Sequence, residues 1–135
     1  MIGLILVTHG SFGRALLDVA ESILGPNQDC AVVEVDVTRS MDLMLSEIAT
    51  CVKTADRGDG VLILTDMFGG TPTNLSLSLL AMARIEVMTG VNLPMLLKVL
   101  TMRDESLGKV ATEAKNAGKQ GIQVAGEVLR RKVET

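Results

Sequence analysis

The chain has 135 residues, enough for one domain with a real core, and 47% of them are hydrophobic. With two Phe and neither Trp nor Tyr, that core must be aliphatic. A net charge of −3 and the lack of stacking aromatics argue against nucleic acid as a main partner, and the short run Arg130-Arg131-Lys132 reads as a solvated tail. No apolar run approaches the ~18 residues of a membrane span, no basic leader precedes the first apolar run, and Cys30 and Cys51 lack any paired spacing. These features predict a soluble, cytoplasmic protein with two reduced thiols and no direct membrane insertion.

In chain order, Ile2 to Val7 is a short continuous apolar run, suited to a strand covered on both faces. Phe12, Ala15, Leu16, Val19, Ala20 and Ile23 recur at helical spacing and are stopped by Gly25-Pro26. Cys30 to Val37 predicts a second strand, and Ser40 is a candidate cap for a helix reaching Ala55. Val61 to Thr65 predicts the third strand. Thr71-Pro72 predicts a hydroxyl-capped helix with proline at its first position, running to about Ala83. That helix is so apolar that a second subunit is one way to cover it. Ile85 to Met88 predicts a fourth strand, Gly90-Val-Asn-Leu-Pro94 opens a short helix to about Leu100, and Asp104 begins another that ends at Gly118. Ile122 and Val124 alternate with polar neighbours and predict a short edge strand, antiparallel or exchanged with a partner copy. The alternation of β and α predicts a single α/β domain over residues 1–135: a doubly wound, mainly parallel sheet of four strands plus that antiparallel edge strand.

Two loops carry chemistry. Strands one and three of such a sheet can end side by side, bringing Thr8-His9-Gly10-Ser11 beside Asp66-Met67-Phe68-Gly69-Gly70-Thr71. His9 is the only histidine, so any mechanism needing two histidines within one chain is excluded. Free imidazole titrates near ~6.5, which leaves a nitrogen lone pair available at neutral pH. Asp66 can accept from the other nitrogen, fixing the tautomer and stabilising a developing cation. Gly10, Gly69 and Gly70 allow backbone amides to face phosphate oxygens, with the Ser11 and Thr71 hydroxyls and two helix N-termini nearby. Spacing alone leaves a structural histidine and a catalytic one both open, and does not single out phosphate as the ligand.

The stretch from Ile5 through Thr8-His9-Gly10-Ser11-Phe12-Gly13, with Asp66-Met-Phe-Gly-Gly-Thr-Pro-Thr-Asn74 and Gly90-Val-Asn-Leu-Pro-Met-Leu-Leu97, resembles the IIA domain of the mannose family of the bacterial phosphoenolpyruvate-dependent sugar phosphotransferase system (PTS). The resemblance covers essentially the whole chain, and the block from Asp66 to Asn74 is its most specific part. It implies that His9 is transiently phosphorylated on Nε2 by the phosphocarrier protein HPr and passes the group to a IIB component. It further implies that Asp66 orients His9, that the Gly70 N–H and Thr71 contact the phosphoryl group, and that the edge strand is exchanged in a homodimer. Many family members continue into a IIB domain. This chain stops at Thr135, so the expectation is no fused IIB domain, which leaves room for a regulatory role.

Rival readings fit fewer residues. A histidine phosphatase needs a preceding Arg and a second His; here Thr8 precedes and no second His exists. A tetrapyrrole metal chelatase can open on a strand running into His-Gly-Ser, but leaves Asp66 to Asn74 unexplained. The phosphocarrier subunit of a dihydroxyacetone kinase shares the fold and the loop histidine, though its second loop usually differs. A serine hydrolase lacks its nucleophile motif, a dinucleotide site lacks its three glycines, and one His with two distant Cys supplies a metal poorly. No metal or organic cofactor is required by the phosphoryl-relay reading.

Overall fold

The computed structural model describes residues 1–82 and 84–134. Strand β1 spans Gly3–His9; its first six residues are buried and only His9 is exposed. It is followed by α1 (Phe12–Leu24), β2 (Cys30–Val35), α2 (Met41–Ala55), β3 (Val61–Thr65), α3 (Thr71–Leu77), β4 (Ile85–Met88), α4 (Leu93–Thr101), α5 (Leu107–Gln120) and α6 (Ala125–Glu134). The sheet order is β2-β1-β3-β4, and each pairing is parallel.

The two central strands read as unbroken apolar runs because both of their faces are covered. Their alternation sorts side chains between two cores. Leu4, Leu6, Leu62 and Leu64 meet Leu17 and Ala20 of α1, Met95, Leu96 and Val99 of α4, and Val110 and Ala114 of α5. Ile5, Val7, Val61 and Ile63 meet Met44, Ile48 and Val52 of α2 and Leu75 of α3. Thus α1 leaves β1 toward one face, whereas α3 leaves β3 toward the other. Between them the strand order reverses, which opens a crevice at the carboxyl edge of the sheet. Cys30 packs against the first core and Cys51 against the second, and both thiols are free. Burial pushes the pKa of each upward.

Several boundaries differ from those predicted. His9 is the last residue of β1, and β2 ends at Val35. Ser40 caps α2 as expected, accepting from the Leu43 amide. In α3 the cap position belongs to Gly70, which is extended, so Thr71 lies inside the helix and its hydroxyl does not cap it. Helix α3 also stops at Leu77. Past it, Leu79 N–H bonds to Ser76 O, Leu80 N–H to Leu77 O and Met82 N–H to Leu79 O, a tighter three-residue pattern. The Ser76 and Ser78 hydroxyls donate to the Pro72 and Leu75 carbonyls, competing with continued helix. The predicted helix end at Ala83 lies outside the described residues.

Helix α5 begins after Ser106, which caps it, rather than at Asp104, and it runs past Gly118. Gly118 is a close-approach residue: a Cβ there would sit 3.1 Å from Met95 Cε of α4. Residues 122–124 form no strand in the single chain, and α6 follows them, unpredicted. Two alternating apolar residues are a weak strand signal, while Ala125, Leu129, Arg130, Arg131 and Lys132 are all good helix formers.

At the amino edge of the sheet, Arg103 is 4% exposed. Its Nε and Nη2 donate to the Ile2 carbonyl at 3.1 and 2.6 Å, Nη2 also to the Asp29 carbonyl at 3.1 Å, and Nη1 to the Gln28 carbonyl. The guanidinium thereby ties the entries of β1 and β2 to the end of α4. Replacing Arg103 with Met should destabilise the fold by roughly 3 kcal/mol, because buried carbonyls lose charged donors. Arg103→Lys should recover only part of this, since an ammonium cannot span three carbonyls in one plane. Urea denaturation of the three proteins measures both.

Candidate active site

The crevice is lined first by the ends of β1 and β3. Val7 pairs with Thr65 in register, so the residues that follow emerge side by side. Thr8 and Thr65 are wholly buried at this rim, and each braces a loop. Gly13 N–H, in the first turn of α1, donates to Thr8 Oγ1 at 2.7 Å. Thr73 donates to the Met67 carbonyl at 2.6 Å, and its hydroxyl oxygen lies 2.6 Å from that of Thr65. Since Thr73 spends its one proton on Met67, Thr65 is the donor in that pair. Sequence reasoning gave these three threonines no bracing role; for Thr8 and Thr65 the available signal was a polar residue near the end of an otherwise apolar strand.

Asp66 joins the two loops. Its Oδ2 accepts from the His9 backbone N–H at 3.0 Å and lies 2.7 Å from His9 Nδ1, while Oδ1 accepts from the Met67 N–H at 3.0 Å. Partial burial works to raise the Asp66 pKa. The hydrogen bonds from the His9 backbone and ring, together with the charge of that ring, outweigh it and hold the carboxyl below its ordinary value. An ionised carboxylate only accepts, so Nδ1 carries a proton, and the tautomer of the neutral ring that this selects has its lone pair on Nε2. The His9 side chain is 50% exposed, against 17% for Asp66. The carboxylate is sheltered and the imidazole is open to an incoming group.

Gly70 stands against the imidazole: a Cβ on it would lie 3.0 Å from His9 Cε1 and 3.6 Å from Nε2. Thr71 and His9 line one cleft of about 290 Å³. Gly10 and Gly69 adopt left-handed backbone (φ +51° and +84°) and turn the chain at each loop, with open space where a side chain would be. Ser11 precedes α1 at its cap position, exposed, and makes no side-chain cap bond. His9, Asp66, Gly70 and Thr71 are therefore brought together, while Gly10, Ser11 and Gly69 stand around them on the same two loops. The end of β2 and the loop after it supply a third wall, Val35, Asp36, Val37 and Arg39, which the sequence had not marked. Among the described residues, no group of three or more His, Cys, Asp or Glu could hold a metal ion. No described helix is long and apolar enough to cross a membrane.

A doubly wound α/β domain with one carboxylate-held imidazole at its switch point is the class of protein that fold and site define. Comparison with known proteins makes this specific. The model of the family described as "PTS system fructose IIA component" matches residues 3–115. The chain is 33% identical to the PTS system fructose-specific EIIA component of Bacillus subtilis, with all of this chain and 93% of that one covered. It is 28% identical to the mannose-specific EIIAB component of Escherichia coli K12 over 90% of this chain, which spans 39% of that longer protein. The crystal structure of phosphotransferase system component EIIA from Streptococcus agalactiae superposes with a TM-score of 0.86 at 26% identity, covering 94% of this chain and 99% of that one. The chain belongs to the mannose and fructose IIA family of the PTS, and is a IIA-type component of a sugar phosphotransferase system.

The lowered Asp66 pKa has a consequence for stability. A carboxyl whose folded pKa lies below its unfolded value near 3.8 contributes stability above that value, and loses it as pH falls through the folded pKa. Urea denaturation across pH should therefore show the advantage of wild type over Asp66→Asn level at neutral pH and shrinking from about pH 5 downward. A difference that stays constant across that range would contradict the assignment.

Proposed function

We propose that His9 accepts a phosphoryl group on Nε2 from phospho-HPr and passes it to the histidine of a IIB component. The observation that carries this reading is the 2.7 Å contact between His9 Nδ1 and Asp66 Oδ2, which leaves Nε2 as the outward nucleophile. In the transfer, the N–P bond of the donor phosphohistidine breaks and its electron pair returns to the donor nitrogen. The Nε2 lone pair forms the new N–P bond, and the Nδ1 proton stays in place against Asp66. Positive charge then develops on the imidazole, and the carboxylate stabilises it. Such a transfer demands little covalent chemistry from the protein beyond the nucleophile, so positioning and electrostatics dominate. The amides of Ser11, Gly69 and Gly70 and the Thr71 hydroxyl are the groups assigned to the phosphoryl oxygens; the Gly10 N–H, expected among them, donates instead to the Val35 carbonyl at 3.0 Å, so Gly10 serves the site through its left-handed turn. Phe12, Val37, Met41, Met67 and Phe68, all exposed around the cleft, supply an apolar rim for transient docking of the carriers.

The same reading places the protein in the cytoplasm, as a homodimer. Leu77 at the end of α3, Leu80 and Met82 just past it, and Ile122, Val124, Leu129 and Val133 near the end of the chain, are exposed in a single copy. A groove of about 850 Å³ runs along α6, lined by Val128 and Leu129. Both β2 and β4 leave an open sheet edge. Residues 122–124 of one copy pairing with such an edge on another would cover apolar surface and unpaired backbone together.

Incubation with phosphoenolpyruvate, enzyme I and HPr should label the protein with an acid-labile, base-stable phosphate, absent in His9→Ala. Wild type without label, or His9→Ala with equal label, would overturn the proposal. Gly70→Ala should slow labelling at least tenfold, on the order of the loss expected when a reacting atom is displaced by a fraction of an ångström. Sedimentation should find a dimer at micromolar concentration and a monomer for Val124→Asp; a monomeric wild type would remove the shared strand.

A further inference from the structure

The third wall of the cleft carries a cation. The turn after β2 is set by Asp36: its Oδ1 accepts from the Thr38 N–H at 2.9 Å, and its carbonyl accepts from the Arg39 N–H at 3.0 Å. Ser40 then starts α2. This geometry folds the Arg39 side chain back over the end of β2, where Nη1 donates to the Glu34 carbonyl at 2.7 Å and Nη2 pairs with Glu47 of α2. Arg39 lines the same cleft as His9 and Thr71, with Val35, Asp36, Met41 and Met44.

We propose that Arg39 is a further phosphoryl-binding residue, recruited from Glu47 to the phosphoryl group once His9 carries it. The inference rests on His9 being the phosphoryl acceptor. Charge balance is the argument. A phosphoryl group adds about −1.5 to −2 charges to a cleft that already holds two carboxylates, Asp36 on its wall and Asp66 beneath the imidazole. Among the described residues lining the cleft, Arg39 is the one side chain with a permanent positive charge. Its present ion pair is a poor competitor: the Arg39 and Glu47 side chains are 35% and 40% exposed, and pairs of that kind contribute little. A guanidinium fork facing two phosphoryl oxygens makes the stronger, bidentate contact. Val35 and Met44, both buried, give one side of the cleft an apolar wall, which strengthens it further.

The test uses the intact protein phosphorylated chemically with phosphoramidate, which can label only one imidazole because the chain has one histidine. Phosphorus NMR then follows the titration of phospho-His9. A neighbouring cation favours the dianion, so Arg39→Gln should raise the phosphoryl titration midpoint and Arg39→Lys should restore part of the shift. Glu47→Gln, which removes only the resting partner, should leave the midpoint at or below that of wild type. In transfer from phospho-HPr, Arg39→Gln should slow labelling about tenfold, the scale of one charge-assisted contact, while Glu47→Gln retains the wild-type rate. An unchanged midpoint in Arg39→Gln would overturn the inference. So would a Glu47→Gln protein that behaves like Arg39→Gln, because the pair would then merely brace the loop. Failure of HPr to label wild type, with the Arg39-dependent midpoint intact, would count against the donor and leave Arg39 in place.

Discussion

One carboxylate holds together two loops that leave the sheet in opposite directions. Asp66 receives three N–H groups, two from His9 and one from Met67, so the end of β1 and the start of the loop after β3 cannot move apart without unpairing an ionised side chain. The imidazole gains a single tautomer and a single outward nitrogen from the same contact. Any loss of Asp66 would thus loosen the crevice and disorient the imidazole together.

That contact is available only because of how the sheet is wound. Strand β1 is the first along the chain, yet it pairs on both sides, with β2 and with β3. The crossover through α1 goes to one face and those through α2 and α3 to the other, so no helix lies over the point where the direction reverses. Two aliphatic cores clamp the central strands from above and below. Arg103 secures the opposite edge with carbonyl contacts. The protein is therefore rigid beneath the site, and its chemistry stands on loops anchored by Thr8, Thr65 and Thr73.

Much of this was legible in the residues. Continuous apolar runs marked the two central strands, three- and four-residue spacing marked α1 and α2, and the glycine-rich blocks marked both loops of the site. The misreadings share a cause. Gly118 looked like a helix stop because its role, letting α4 approach α5, depends on a contact distant in sequence. Thr71 looked like a cap because local preference favours a hydroxyl before proline, whereas the extended Gly70 takes the cap position and leaves Thr71 facing the cleft. The strand expected over residues 122–124 is a different case: among the described residues it pairs with nothing in a single copy, and because a strand exists only through what it pairs with, a second copy is what decides it.

The sequence by itself determined the α/β class, the aliphatic core and the single imidazole. Each of these follows from residue type and local period, which are properties of the chain as written. Tertiary structure alone decided which His9 nitrogen is held, how closely Gly70 stands to the ring, and that the loop with Arg39 closes the third side of the cleft. Those are distances between segments that meet only when strand order and crossover direction are set, and no local pattern encodes them.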